Sequence, residues 1–191
     1  MATATLSDKV PAIGTQAAQP TSGSVILSGN EANFPYFHLT FTLNAARIPV
    51  TDAGAGGSHG ALKLFDFNEG AVLILGSRQD YTAFAEGSAL TTAAGDAVFD
   101  IGVGSVAKSA AADGALGGAT DDDICPEIAI TLSGGTGTGT LVSATTAALN
   151  GTATAADAVL NWSGTAATID ASSSIDVTGT ITFTGIMLRD D

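Results

Sequence analysis

Apolar and small polar residues alternate with a period of two in several separate segments of this chain. The segment Tyr36–Leu43 reads YFHLTFTL, with an apolar residue at every second position from Phe37 onward. The segment Val177–Leu188 reads VTGTITFTGIML, with threonine at every second position from Thr178 to Thr184. Successive side chains of a β-strand point to opposite faces, so this period predicts strands with one buried and one wetted face. The pattern favours folds built from β-sheets.

The composition supports the same interpretation. Only 13% of the 191 residues are charged, about half the usual share. Strong helix formers are scarce, whereas threonine, valine and isoleucine recur, and such a chain forms poor helices and good strands. We therefore predict an all-β protein with an extended N-terminal arm at residues 1–23 and one β-sandwich domain at residues 24–191. The arm is small, polar and interrupted by Pro11 and Pro20.

Glycine-rich turns divide the domain into about eight to ten short strand candidates. Their number and the lack of a strong helix predict a two-sheet β-sandwich of jelly-roll or Greek-key type. One candidate, AVLILG at Ala71–Gly76, is apolar throughout, which predicts a strand covered on both faces. The other candidates are SVILS, YFHLTFTL, ALKLFDF, YTAFAEG, AVFDIGVGSV, EIAITLSG, GTGTGTLVSAT, DAVLNWSG and the final threonine-rich segment.

The charge balance argues against polyanionic partners. Six Lys and Arg residues stand against 19 Asp and Glu residues, a formal net charge of −13. Binding to a polyanion needs clustered basic residues, and here they are scattered singly, so we expect neither nucleic acid nor a membrane as a partner. The first residues predict no secretory signal, and no apolar run approaches the length of a membrane span. Cys125 is alone and forms no intrachain disulfide.

Two motifs resemble enzyme signatures without their required context. Gly56–Gly60 fits the G-x-S-x-G nucleophile elbow, which needs a strand that turns sharply into a helix. Here Ser58 and His59 lie in a predicted glycine loop that leads into a strand. Gly102 and Gly104 suggest a dinucleotide loop, but no helix and parallel strand follow them. Two glycines in a strand indicate a bulge or a close backbone approach instead.

The remaining candidate ligands favour no metal site. Asp121–Asp123 lack the spacing of a calcium loop and are interpreted as a solvated acidic loop. Cys125 is interpreted as a small buried hydrophobic residue, because a zinc site needs more Cys and His residues than this chain has. We therefore predict no catalytic, cofactor-binding or metal-binding residues, no cofactor and no enzymatic activity.

The threonine row from Thr178 to Thr184 allows two interpretations. Rows of the T-x-T type order water in ice-binding proteins, which require parallel rows from a regular coil repeat. The other threonine-rich stretches here fall at irregular spacing. The row is therefore interpreted as the wetted face of a strand. Ile181, Phe183 and Met187 are expected to face the core.

Several segments resemble small virion proteins of marine tailed bacteriophages. The run GALKLFDFNEGAVLILGSRQDYT, Gly60–Thr82, is similar to a KLFDFPEGAI-ILGA segment that recurs in those proteins. FDIGVGSVA at Phe99–Ala107, AALNGTATAADAVLNW at Ala147–Trp162 and GTITFTGIML at Gly179–Leu188 correspond in order and character. The resemblance covers about residues 45–188 and leaves the arm unmatched.

The resemblance implies a capsid decoration or cement protein on the outer surface of a tailed-phage head, assembled in the host cytoplasm. Its partner would be the phage major capsid protein, and the family's common form is a homotrimer. The hypothesis for residues 1–23 is docking by addition of a strand to an exposed sheet edge. The alternatives are a phage tail or head-fibre component, and a carbohydrate-binding protein that would need an exposed aromatic platform at Trp162.

Overall fold

The computed structural model describes residues 14–28, 35–52, 57–86, 97–109, 116, 120–132, 136–143, 147–151, 155–164 and 173–189. Within these ranges the chain forms eleven strands and no helix, so the all-β prediction is confirmed. No helix there has the length and hydropathy to cross a membrane. The strands are β1 (Gly14–Gln16), β2 (Ser24–Ser28), β3 (Tyr36–Asp52), β4 (Ser58–Phe67), β5 (Gly70–Glu86), β6 (Ala97–Gly104), β7 (Cys125–Leu132), β8 (Thr136–Ser143), β9 (Ala147–Gly151), β10 (Asp157–Gly164) and β11 (Ser173–Arg189).

All these strands belong to one antiparallel sheet that curls into a half-barrel. The main order is β7-β6-β10-β4-β3-β11-β5-β8, with β1 paired to β4, β2 to β3 and β9 to β5. The two end strands β7 and β8 pack against each other without a hydrogen-bonded ladder between them. The predicted division into the two sheets of a jelly-roll or Greek-key sandwich is not confirmed.

Three long strands form the centre of the sheet. β3, β5 and β11 each contain 17 residues, and β11 lies between the other two. The predicted alternation in Tyr36–Leu43 is confirmed, because its apolar members are buried. Phe41 stacks on Phe183 of β11 with ring centroids 5.3 Å apart. Phe65 and Phe67 of β4 extend this aromatic core through ring contacts with Phe41 and Phe183.

Strands β3 and β4 diverge after a short pairing, and the chain's own N-terminal part fills the gap. β3 and β4 pair only over Val50–Asp52 and Ser58–Gly60. Beyond that point β1 pairs with β4 and β2 pairs with β3. Of the predicted arm, residues 1–13 lie outside the described residues, whereas residues 14–23 lie against strands of the same chain.

The side chains of two glutamines, one in β1 and one just after it, bind the backbone of Val25 in β2 and so connect the two sides of this gap. Gln19 Nε2 donates to the Val25 carbonyl at 2.8 Å, and the Val25 N–H donates to Gln19 Oε1 at 2.8 Å. The side-chain amide thus takes the place that a neighbouring strand would have beside β2. Gln16 also donates to the Val25 carbonyl. The edge of β2 that does not pair with β3 is therefore hydrogen-bonded at Val25 by side chains instead of by another strand.

A buried polar contact fastens β7 to β5. Gln79 is fully buried, and its amide nitrogen donates to the Pro126 carbonyl. Tyr81 OH donates to Gln79 Oε1 at 2.7 Å. These bonds satisfy the buried amide and join the end strand β7 to β5, which is the neighbour of the other end strand, β8.

Candidate functional site

The structure places Ser58 and His59 in a strand rather than in the predicted loop. They are the first two residues of β4, so their side chains point to opposite faces. Ser58 faces the interior and is buried, and its hydroxyl has no hydrogen-bond partner among the described residues. No helix follows, so the strand-to-helix turn of a nucleophile elbow is absent from this part of the chain.

A serine and an aspartate that the sequence analysis did not single out lie in register with His59. Ser163 of β10 pairs with His59, and Asp100 of β6 pairs with Ser163 on its other side. A catalytic triad needs histidine between serine and carboxylate. Here serine is in the middle, and two strand spacings separate His59 from Asp100 by about 9–10 Å. Burial raises the pKa of Asp100. The order of these residues does not support a proton relay.

Gly102 lies inside β6 and Gly104 is its last residue, and both pack closely against neighbouring backbone. A Cβ added to Gly104 would lie 2.2 Å from the Thr120 carbonyl oxygen. The ladder with β7 also shifts register between Ile101 and Val103. The close approach and the bulge predicted for these glycines are both present.

The three acidic residues Asp121–Asp123 engage separate partners. Lys108 Nζ donates to Asp121 at 2.8 Å, and both ions are mostly buried. Asp123 accepts bonds from the Ser105 N–H and hydroxyl at 2.6 and 2.7 Å. Burial raises the pKa of Asp123 despite these bonds. In the described ranges no three acidic, His or Cys side chains form a metal-binding group.

Asn161 holds this acidic loop against the sheet. Its carbonyl oxygen accepts a bond from the Lys108 N–H at 2.9 Å. Its amide nitrogen donates to the carbonyls of Val106 and Asp121 at 2.9 and 2.7 Å. The loop therefore covers the outer face of β10, which is buried on both sides from Ala158 to Gly164. The sequence alternation in β10 identified only the inner face.

Two residues considered as binding or reactive groups are buried instead. Trp162 is fully buried and stacks on Phe99 with ring centroids 3.6 Å apart, so it forms no exposed platform for a sugar. Cys125 is also fully buried, and this burial raises the pKa of its thiol to about 11. A thiol with such a pKa is a poor nucleophile near neutral pH.

The threonine row forms the polar half of one outer sheet face. Thr178, Thr182 and Thr184 are half-buried and Thr180 is exposed, while Ile181, Phe183 and Met187 are fully buried. The interpretation as a wetted face is thus confirmed. Thr182 pairs with Thr40 of β3, and their hydroxyl oxygens lie 3.2 Å apart.

The other half of the same outer face is apolar. We define the apolar patch as Tyr36, Leu73, Leu75, Ile186 and Leu188. The patch crosses three strands, because Ile186 of β11 pairs with Tyr36 of β3 and with Leu73 of β5. Tyr36 and Leu188 are 60% and 59% exposed. The expectation that Ala71–Gly76 is covered on both faces is wrong within this chain, because Leu73 and Leu75 face outward while Val72 and Ile74 are buried.

A surface depression adjoins the patch. Its volume is 290 Å³, and Leu73, Leu188, Ala71 and Ala148 are among the residues that line it. Its walls come from the ends of β5, β9 and β11. None of the described residues that line the depression carries a charged side chain.

The fold and this outer face define an all-β protein with one described sheet surface that is half polar and half apolar. The chain matches no protein-family model, no curated protein and no solved structure.

Proposed function

We propose that the protein is a capsid decoration protein that binds the outer surface of a tailed-phage head and stabilises the lattice of the major capsid protein. The observation that carries this proposal is the apolar patch on a chain with a net charge of −13. Exposed apolar patches mark sites of protein–protein contact. The sequence resemblance to phage virion proteins supports the major capsid protein as the partner in this proposal.

The proposed mechanism is selective binding to one state of the shell. Packaged DNA presses the shell outward, and a protein that binds only the expanded lattice lowers the free energy of that lattice. Burial of the patch contributes about 25 cal/mol for each Å² of apolar surface removed from water. The stabilisation increases with the number of bound copies, and a trimer would deliver three patches together.

The curled sheet suits this mechanical role. In this proposal its opposite walls act as the two layers of the predicted sandwich, filled by a continuous aromatic and aliphatic core. A filled core transmits load without large internal rearrangement. The proposed location is the capsid exterior, where a strongly acidic protein does not encounter packaged DNA.

Imaging of intact particles tests the proposal. We expect cryo-electron microscopy of the phage that encodes this chain to resolve it in many copies, at a regular lattice position on the outside of the head. Heads stripped of the protein should rupture at a lower temperature, and the purified protein should restore the original value. Absence of the chain from the head would contradict the proposal.

A tail or head-fibre component is the second candidate. It shares the long strands and the exposed contact face, and it differs in copy number. A handful of copies at the tail or at single head positions would favour this alternative. Quantitative mass spectrometry of purified particles, with the major capsid protein as the internal standard, separates the two functions.

A further inference from the structure

A lysine and an aspartate that lie between β6 and β7 in the sequence meet beneath the protein surface. Lys108 follows β6 and Asp121 precedes β7, and Lys108 Nζ donates to Asp121 Oδ2 at 2.8 Å. Their side chains are only 10% and 14% exposed. Removing two ions from water costs free energy that their mutual attraction often returns only in part. Conversion of this pair into a neutral group would remove that cost.

Asn161 of β10 holds the backbones of both residues in place. Its carbonyl oxygen accepts a bond from the Lys108 N–H at 2.9 Å, and its amide nitrogen donates to the Asp121 carbonyl at 2.7 Å. Because Asn161 is fully buried, it anchors both partners to the sheet. Groups fixed with their reacting atoms about 3–3.5 Å apart react far faster than free molecules do. The hydrogen bond to one oxygen of the Asp121 carboxylate places the lysine nitrogen close to this distance from the carboxyl carbon.

We propose that Lys108 and Asp121 form an intramolecular isopeptide bond. A proton passes from the Lys108 ammonium to the Asp121 carboxylate along their hydrogen bond, which gives an amine and a carboxylic acid. The amine nitrogen then attacks the Asp121 Cγ, and the bond from Cγ to the hydroxyl group breaks. One amine proton leaves with the hydroxyl group as water. The ion pair and the products, an amide and one water molecule, contain the same atoms and no net charge, so the reaction needs no oxidant or cofactor.

The surroundings favour the uncharged groups that this reaction requires. Burial raises the pKa of Asp122 and of Asp123, which directly follow Asp121. Carboxyl groups in this part of the loop therefore hold their protons more tightly than they would in water. The low exposure of the pair also limits access of the water that would hydrolyse the product. The inference does not depend on the proposed capsid function.

A second lysine–aspartate pair provides a comparison within the same chain. Lys63 Nζ lies 2.8 Å from Asp157 Oδ1, the same distance as in the buried pair, but these side chains are 40% and 33% exposed. Lys63 also contacts Asp66 at 3.2 Å. Water stabilises both ions at such an exposed position, so the charged pair persists. We expect no isopeptide bond at Lys63, and the difference between the two pairs isolates the effect of burial.

Mass spectrometry of the purified full chain tests the inference. After incubation at neutral pH, the wild-type chain should be lighter than its calculated mass by one water molecule. Trypsin should cleave after Lys63 and fail to cleave after Lys108, and fragmentation should locate the branch at Asp121. Lys108→Arg retains the positive charge but lacks the attacking amine, so this variant should have its full calculated mass. Lys63→Arg is the matched control and should still lose one water.

Each outcome decides for or against the isopeptide bond. A wild-type chain of full calculated mass would overturn the inference. Loss of water that persists in Lys108→Arg would also overturn it, because Asp113 precedes Gly114 and such a sequence loses water when it forms a succinimide with its own backbone. Circular dichroism shows whether each variant folds. A branch that joins Lys108 to Asp121 in the wild-type chain would support the inference even if Lys108→Arg does not fold.

Discussion

Asn161 connects parts of the chain that are far apart in sequence. Its partners are the backbone of Val106, Lys108 and Asp121, and its side chain is fully buried. An amide supplies one acceptor and two donors, which matches the three bonds it makes here. No aliphatic or acidic side chain of similar size offers that combination.

We expect Asn161→Ala to lower the free energy of unfolding by about 2–4 kcal/mol, because the buried backbone groups of the loop lose their partners. Urea denaturation monitored by circular dichroism measures this loss. Asn44→Ala is the matched control, since Asn44 is exposed, and it should change stability by about 0.5 kcal/mol or less. Equal effects of the two substitutions would contradict the anchoring role.

Because the side chains of Cys125 and Tyr81 are buried in their neutral forms, we expect the fold to lose stability at alkaline pH. Burial raises the pKa of Cys125 from 9.0 to about 11, and burial raises the pKa of Tyr81 well above 10.0. The folded state thus holds these protons more tightly than the unfolded state. Their contribution is complete below pH 9 and disappears as the pH rises toward and beyond 11. The rise in the pKa of Cys125 from 9.0 to about 11 corresponds to about 2–3 kcal/mol of the free energy of unfolding.

Urea denaturation from pH 7 to pH 11 measures this effect, and we expect the unfolding free energy to decline above pH 9. Cys125→Ala removes one titrating group, so the variant should show a shallower decline. A wild-type profile that stays flat up to pH 11 would contradict the assignment.

Burial was predictable where the period of two was undisturbed. The inward positions of Phe37, Phe41, Ile181 and Phe183 follow directly from alternation. The role of Asn161 was not predictable, because its partners lie 40–55 residues away. The exposure of Leu73 was not predictable, because the apolar run Ala71–Gly76 indicated a strand covered on both faces.

Long strands in this fold depend on local irregularities. The pairing of β11 with β3 shifts between Val177 and Gly179, and Ala45 on β3 takes a left-handed conformation with φ of 47°. The pairing of β11 with β5 shifts at the same place. Such bulges increase local bend and twist, which allows strands of this length to curl around a core.

Substitutions at two glycines, Gly179 and Gly139, test how closely neighbouring parts of the sheet approach each other. A Cβ on Gly179 would lie 2.3 Å from the Asp80 carbonyl oxygen and 2.8 Å from the Tyr81 Cα, which are both backbone atoms. We expect Gly179→Ala to destabilise the fold by about 1–3 kcal/mol, as overpacking does. A Cβ on Gly139 meets only the flexible Ile130 side chain within 3 Å.

Gly139→Ala is therefore the control, and we expect it to cost less than Gly179→Ala. Thermal unfolding of both variants in parallel measures the difference. A larger loss for Gly139→Ala would show that the β11–β5 contact yields more easily than its geometry indicates.

The positions of most strands were predictable, but their lengths and partners were not. Turn signals located SVILS, DAVLNWSG and the threonine-rich segment, whereas AVLILG and YTAFAEG proved to be one strand, β5. The polar stretch between them looks like a turn in sequence. It continues as a strand because Gln79 is satisfied by Pro126 and Arg78 pairs with Asp80.

At the scale of the whole molecule, alternation identifies the faces of strands and leaves their order open. Both one curled sheet and two stacked sheets satisfy a period of two. Which of these two arrangements forms depends on the strand register and on contacts between strands far apart in sequence, such as the hydrogen bond from Gln79 of β5 to Pro126 of β7. Short, regular strand spacing favoured the sandwich interpretation, whereas the three long central strands produce a continuous curl.

The way the sheet ends has a consequence for aggregation. β7 and β8 shield each other, and the Gln19 amide occupies the backbone groups of Val25. Bare strand borders act as templates on which further chains add and grow into fibres. Because contacts within the molecule cover these parts of the sheet border, they offer fewer backbone groups for such growth.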